Sequence, residues 1–263
     1  MVEQTNDAGS GQVNIIVPNP SVERGHRAPL QYSTDGKYLV YGCRNNLVFK
    51  SQEEGLKDFV YEEHKNKICS VKPTPDGKQC AFGDNMGAVV IFEHAAGADK
   101  IKVQRQHMML GGDVNDIEWV QWSREAKAKI VALGDGKSGQ QARCYQAKGG
   151  MANGEIIGSS KLLLCSAVNA PEDADAPVKL WYSNEDGEIY CHTGTPFKVD
   201  TGKLIEKHGV FINSMDFSAE ANAVVVATGD KKIHIYDAAT DEKLATKEAA
   251  HGKGIYEVKW TGA

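Results

Sequence analysis

The 263-residue chain has no uninterrupted apolar run approaching the length of a bilayer span, which excludes an ordinary transmembrane helix. It has no excess of positive charge. Thirty Lys and Arg against 35 Asp and Glu leave a formal net charge of −5, the opposite of the basic footprint that nucleic-acid binding needs. None of its six cysteines, Cys43, Cys69, Cys80, Cys144, Cys165 and Cys191, forms a CxxC pair. Each lies in or near an apolar run, so they read as reduced core residues of a cytosolic protein. The opening MVEQTNDAGSGQ has neither a basic stretch nor an apolar one, so no signal peptide is expected. The composition of residues 1–20 suggests a flexible start, with VNIIV (Val13–Val17) as a single candidate strand. Catalytic signatures are missing too. There is no GxxxxGK phosphate loop, no GxSxG elbow and no HExxH zinc helix. The carboxylates of GGDVNDIE (Gly111–Glu118) and of the turn at Asp84 lack the spacing of a calcium loop and read as turn residues. No cofactor, metal, nucleic acid or membrane partner is therefore expected, and no catalytic residue is assigned.

Present instead are short apolar runs separated by Gly, Asp, Asn and Lys. They include Lys37–Tyr41, Ala88–Phe92, Lys129–Leu133, Val178–Tyr182, Val224–Ala227 and Ile233–Tyr236. Short strands at regular spacing indicate an all-β sandwich, barrel or propeller. The period chooses among them. Units beginning at Ala28, Lys67, Val114, Leu162 and Phe211 share one strand–turn–strand shape, and GIYEVKW from Gly254 opens a sixth. Equivalent positions at Tyr32, Val71, Ile117, Ala167, Met215 and Val258 lie 39 to 50 residues apart. A repeat of about 40–45 residues built from four short strands is the blade of a WD40-type β-propeller. The expected domain spans 21–263, with five blades and the first strand of a sixth. That is an incomplete ring, as in a fragment of a seven-bladed propeller. His64, His208 and His251 each precede a first strand, while Asp84 and Asp230 sit in tight Gly-Asp turns. These residues and the closing aromatics Phe92 and Tyr236 are expected to lock strands together by hydrogen bonds.

Ordered stretches carry a closer resemblance. They are VERG (Val22–Gly25), Tyr61–Glu93, VNDIEW (Val114–Trp119), LGDGKSG (Leu133–Gly139), Gly194–Ser218 and His251–Trp260. In this order the chain resembles the amino-terminal propeller of the actin-interacting protein 1 family, WD-repeat proteins with two propellers in tandem. The TPFKV segment is the most specific, because a generic WD repeat has no reason to carry it there. The resemblance implies a cytoplasmic, cytoskeletal protein that is not an enzyme. It implies binding to actin filaments decorated with ADF/cofilin and promotion of their disassembly. It also implies that Val13–Val17 helps to close a second propeller.

The family's partner-facing turns map onto Asp135, Gly136 and Lys137, onto Glu185 and Asp186, and onto Phe197, Lys198 and Val199. Ser138 stands where the family has Glu and Val199 where it has an aromatic, so altered affinity is expected. Exposed charges in β-turns are otherwise simply solvated. The alternative function is a WD-repeat scaffold in another protein complex, since one fold carries many functions.

Overall fold

The computed structural model describes residues 17–21, 27–95, 97–98, 100–121, 128–137, 141–149, 152–155, 161–169, 171, 177–194, 202–248 and 250–260. For 121 and 152–155 it describes the backbone alone. Among these residues there is no helix; twenty strands form five four-stranded antiparallel sheets. The first sheet holds β1 (Leu30–Tyr32), β2 (Tyr38–Cys43), β3 (Asn46–Ser51) and β4 (Phe59–Tyr61). The second holds β5 (Ile68–Pro73), β6 (Cys80–Asp84), β7 (Ala88–Glu93) and β8 (Lys102–Met108). The third holds β9 (Val114–Gln121), β10 (Lys129–Gly134), β11 (Ala142–Gln146) and β12 (Ala152–Glu155). The fourth holds β13 (Leu163–Asn169), β14 (Lys179–Asn184), β15 (Glu188–Thr193) and β16 (Lys203–Lys207). The fifth holds β17 (Ile212–Ser218), β18 (Ala223–Thr228), β19 (Ile233–Asp237) and β20 (Lys243–Lys247). Each sheet is a simple meander, and the first strands lie side by side around a common axis. The described residues thus form five blades of an all-β propeller.

The apolar runs are continuous because each sheet is packed on both faces. Side chains alternate along a strand, so neighbouring residues serve different interfaces. On β7, Val90 and Phe92 face the first sheet, where they join Tyr38, Val40, Leu47 and Phe49. Val89 and Ile91 on the same strand face the third sheet and pack with Val114, Ile117, Trp119 and Ile130. On β10, Val131 and Leu133 turn the other way, onto Leu163, Leu180 and Tyr182. Trp181 and Ile189 of the fourth sheet then meet Met215, Val224 and Val226 of the fifth. A sheet with two apolar faces is stable only between neighbours. The outward face of the first sheet, Tyr41 and Val48, is covered by Val17. Tyr41 donates to the Pro18 carbonyl (2.6 Å), and Ser21 bonds the rim at Gly42 and Arg44.

The sixth unit differs from expectation. Gly254–Trp260 is not assigned as a strand, yet it lies along β17. Asn213 donates to the Ile255 carbonyl (2.7 Å), Trp260 N donates to Asp216 (2.8 Å), and Lys259 pairs with Asp216 (3.3 Å). First strands of neighbouring blades meet through side chains. A strand ladder needs a second strand of the same sheet, and among the described residues none is paired with this segment.

The expectation that Asp116 and Glu118 are turn residues is corrected. Both are buried within β9, near the axis of the ring. Six cysteines are free thiols; Cys144, Cys165 and Cys191 are buried and Cys43, Cys69 and Cys80 partly so. Burial pushes the Cys80, Cys144, Cys165 and Cys191 thiols up to about 12, which leaves them unreactive. The expected histidine locks hold in part. His64 bonds Asp84 (3.0 Å), and Asp84 also takes the Met86 and Ala88 amides. His208 bonds the Tyr236 hydroxyl (2.9 Å), but Asp230 pairs with Thr228 (2.6 Å), and His251 is exposed.

Tight turns set the spacing between sheets. Gly87 has φ +89°, and a Cβ there would lie 2.0 Å from the Leu110 carbonyl oxygen. Gly36 has φ +71° with nothing close. Gly87→Ala is expected to cost about 3 kcal/mol or more and Gly36→Ala about 1 kcal/mol. Urea unfolding of the two variants checks the difference; equal costs would show that the turn is not wedged against the next connection.

Candidate functional site at the mouth of the ring

One end of the ring collects the turns between second and third strands and the connections between sheets. In four sheets the same backbone bond ties these together. Asn85, Asp135, Glu185 and Gly229 donate their amides to the carbonyls of Lys67, Asp113, Leu162 and Phe211, at 2.9–3.0 Å. Each first strand of sheets two to five also has a bulge near its start, between Ile68 and Ser70, Val114 and Asp116, Leu163 and Ser166, and Ile212 and Ser214. A bulge re-aims the residue it skips. The skipped Cys69, Asn115, Leu164 and Asn213 line a cavity of about 240 Å³ at the mouth of the ring. Asp113, Asp135, Lys67, Lys137 and Arg27 complete its polar wall.

The floor is held by charge. Arg27, from the segment before the first sheet, reaches Asp116 at 2.5 Å. Asp116 also accepts from the amide and hydroxyl of Ser166 in the fourth sheet, at 2.8 and 2.9 Å. Burial opposes ionisation of Asp116, but Arg27 and then Lys72 overcome it and hold the carboxyl below its usual value. Below it, Lys72 of the second sheet pairs with Glu118 of the third at 2.9 Å. Burial pushes the Glu118 carboxyl up to about 7 against the pull of Lys72.

Four of the six partner-binding residues expected from the sequence lie at this end. Asp135 and Lys137 line the cavity. Lys137 is exposed, has φ +48° and donates its amide to Asp135 (3.0 Å). Glu185 and Asp186 are the tip of the β14–β15 turn, one sheet further round. Asn184 shapes that turn by accepting the amides of Asp186 and Glu188, both at 3.1 Å. Glu188, the first residue of β15, is held down to about 2 by hydrogen bonds from Asn184 and Lys207. Asp186 also faces Lys161 at 3.5 Å. Phe197 and Lys198 lie outside the described residues, as do Ser138 and Val199, Val13–Ile16 and Val22–Gly25. The preceding strand β15 ends at Thr193, at the opposite end of its sheet from the Glu185–Asp186 turn.

Sequence reasoning missed Phe211. Its side chain is 59 % exposed at the start of β17. The preceding Val210 carbonyl lies where a Cβ on Gly187 would strike it, at 2.2 Å, so the backbone leading into Phe211 runs against the acidic turn. The signal was its place in the repeat: equivalent positions hold Lys67, Asp113 and Leu162, which line the mouth. Among the described residues no cluster of three or more His, Cys, Asp or Glu could hold a metal, and no helix is long and apolar enough to cross a membrane. The geometry offers charged turns and an exposed aromatic around a shallow cavity.

Residues 201–237, a span that includes β16 to β19, match the family described as WD domain, G-beta repeat. Over nearly its whole length the chain is similar to Actin-interacting protein 1 of Drosophila melanogaster, with 26% identity over 94% of this chain and 39% of that protein. WD repeat-containing protein 1 of Bos taurus is 27% identical over the same shares. Actin-interacting protein 1-2 of Arabidopsis thaliana is 28% identical over 90% of this chain and 37% of that protein. The chain thus spans about two fifths of the length of these curated relatives. The crystal structure of Saccharomyces cerevisiae Sqt1 superposes with a TM-score of 0.66 at 13% identity, over 88% of this chain and 65% of that one. That likeness supports the fold alone.

Asp116→Asn leaves Arg27 without its charged partner at the ring axis, and a loss of about 3–5 kcal/mol is expected at pH 7. Because the Asp116 carboxyl is held below its usual 3.8, its contribution is complete above that value and fades as pH falls through the folded-state value. Urea unfolding from pH 7 to pH 3 should show the gap between wild type and Asp116→Asn narrowing at the acid end. A gap independent of pH would contradict the ion pair.

Proposed function

We propose that this chain is an actin-binding part of a WD-repeat protein that acts with ADF/cofilin to promote filament disassembly. It works as a binding surface in the cytoplasm and cytoskeleton, not as an enzyme. The observation that carries this is the alignment of 94% of the chain with proteins named for interaction with actin. In this reading residues 21–263 supply blades of one propeller, and the partner meets the mouth end. Glu185 and Asp186 supply charge there, Asp135 and Lys137 the cavity rim, and Phe211 an aromatic anchor of the kind that dominates interface energetics. Phe197 and Lys198, outside the described residues, are proposed as partner-binding by resemblance alone.

Cosedimentation with filamentous actin, with and without cofilin, tests it. Glu185→Ala combined with Phe211→Ala removes two exposed side chains and should spare the fold. A rise in Kd of about tenfold or more on cofilin-decorated filaments is expected, the size of one or two hot-spot residues. Unchanged binding of the double variant removes the site from this end of the ring. Failure of the wild-type chain to pellet with either filament favours the alternative, a WD-repeat scaffold for another complex.

A further inference from the structure

Away from the mouth, one cluster of titratable groups joins the fourth and fifth sheets. Glu206 lies on β16 and His208 just after it; His234 and Tyr236 lie on β19, Lys243 and Thr246 on β20. The Tyr236 hydroxyl donates its single proton to Glu206 Oε2 at 2.7 Å. His208 Nε2 stands 2.9 Å from the same hydroxyl oxygen and must therefore be the donor, which places the ring proton on Nε2. Lys243 pairs with Glu206 and stands over the Tyr236 ring at 5.8 Å. The His234 ring lies only 4.4 Å from that of His208. Its Nδ1 is 3.0 Å from Thr246 Oγ1, whereas its Nε2 is buried without a hydrogen-bond partner. In the protonated ring both nitrogens carry hydrogen, and the Nε2–H then has no acceptor and sits against a second imidazole.

We propose that His208 and His234 form an acid-released latch, which holds the fifth sheet's outer strands to the fourth sheet while neutral and lets them part when both rings are protonated. The carboxylates facing the pair offset burial and repulsion only in part. His208 faces Glu206, Lys243, Asp230 and Lys232, and His234 faces His208, Lys243, Glu206 and Asp230. Glu206 is already engaged by Lys243 and Tyr236. Burial depresses both imidazoles, and with His208 and Lys243 beside it His234 falls to about 4. An unfolded imidazole titrates at its ordinary 6.5, so the latch contributes fully above that value. Its contribution is lost progressively as pH falls from 6.5 toward about 4.

Hydrogen exchange of the intact chain at pH 7.5 and 5.5, corrected for intrinsic rates, reads the opening directly. With the two values just given, β19 and β20 are expected to open on the order of tenfold more often at pH 5.5, while β2 and β3 do not change. The double variant His208→Gln, His234→Asn keeps a donor at each contact but cannot charge, and should lose the acid response. Uniform acceleration across all sheets, no acceleration at β19 and β20, or the same response in the double variant overturns the latch. Should the variant not fold, titration of the wild-type imidazole resonances decides. His234 changing below pH 5 supports the latch, and His234 changing at the ordinary value ends it.

Discussion

A single buried carboxylate sets the geometry around the axis of this ring. Asp116 belongs to the third sheet, binds Arg27 from ahead of the first, and accepts twice from Ser166 in the fourth. Apolar packing between neighbouring sheets is strong but non-directional, and by itself it leaves the angle and slide of one sheet on the next poorly defined. Hydrogen bonds to a charged group are directional, and in a buried setting they are costly to leave unmade. Asp116 therefore fixes the third sheet against the fourth and against the segment ahead of the first. Lys72 with Glu118, and Lys259 with Asp216, repeat the device between other neighbours.

The shape of the mouth is a by-product of the same arrangement. First strands crowd together at the axis, and a bulge near the start of four of them takes up the crowding. Those bulges aim Cys69, Asn115, Leu164 and Asn213 into the cavity. The turns that ring it are then fixed by four equivalent backbone bonds. The Glu185 amide and the Phe211 carbonyl are each tied down by one of these bonds, which leaves less backbone to order when a partner docks.

The architecture was readable because two-sided burial leaves a plain trace. Strands such as β7, β10 and β18 are apolar at nearly every position, and the repeat places them at near-constant spacing. The outer strands could not be located one by one. Most residues of β8 are exposed and all of β20 are, so no apolar signal marks them. Asp116 and Glu118 were misread because a carboxylate in a short polar-looking segment resembles a turn residue. Only the positions of Arg27 and Lys72, distant in sequence, make burial tolerable. The turns of the candidate site were legible as turns from their Gly and Asp residues. Phe211 was not, since the exposure of an apolar residue at a strand start depends on how the neighbouring sheet is placed.

Gly254–Trp260 is held along β17 by side chains, with Asn213 reaching the Ile255 carbonyl and Asp216 the Trp260 amide. A backbone ladder spreads its bonds over many residues and tolerates most side-chain changes. Docking through Asn213 and Asp216 rests on two side chains instead, so the seat of this segment is sensitive to single substitutions in β17.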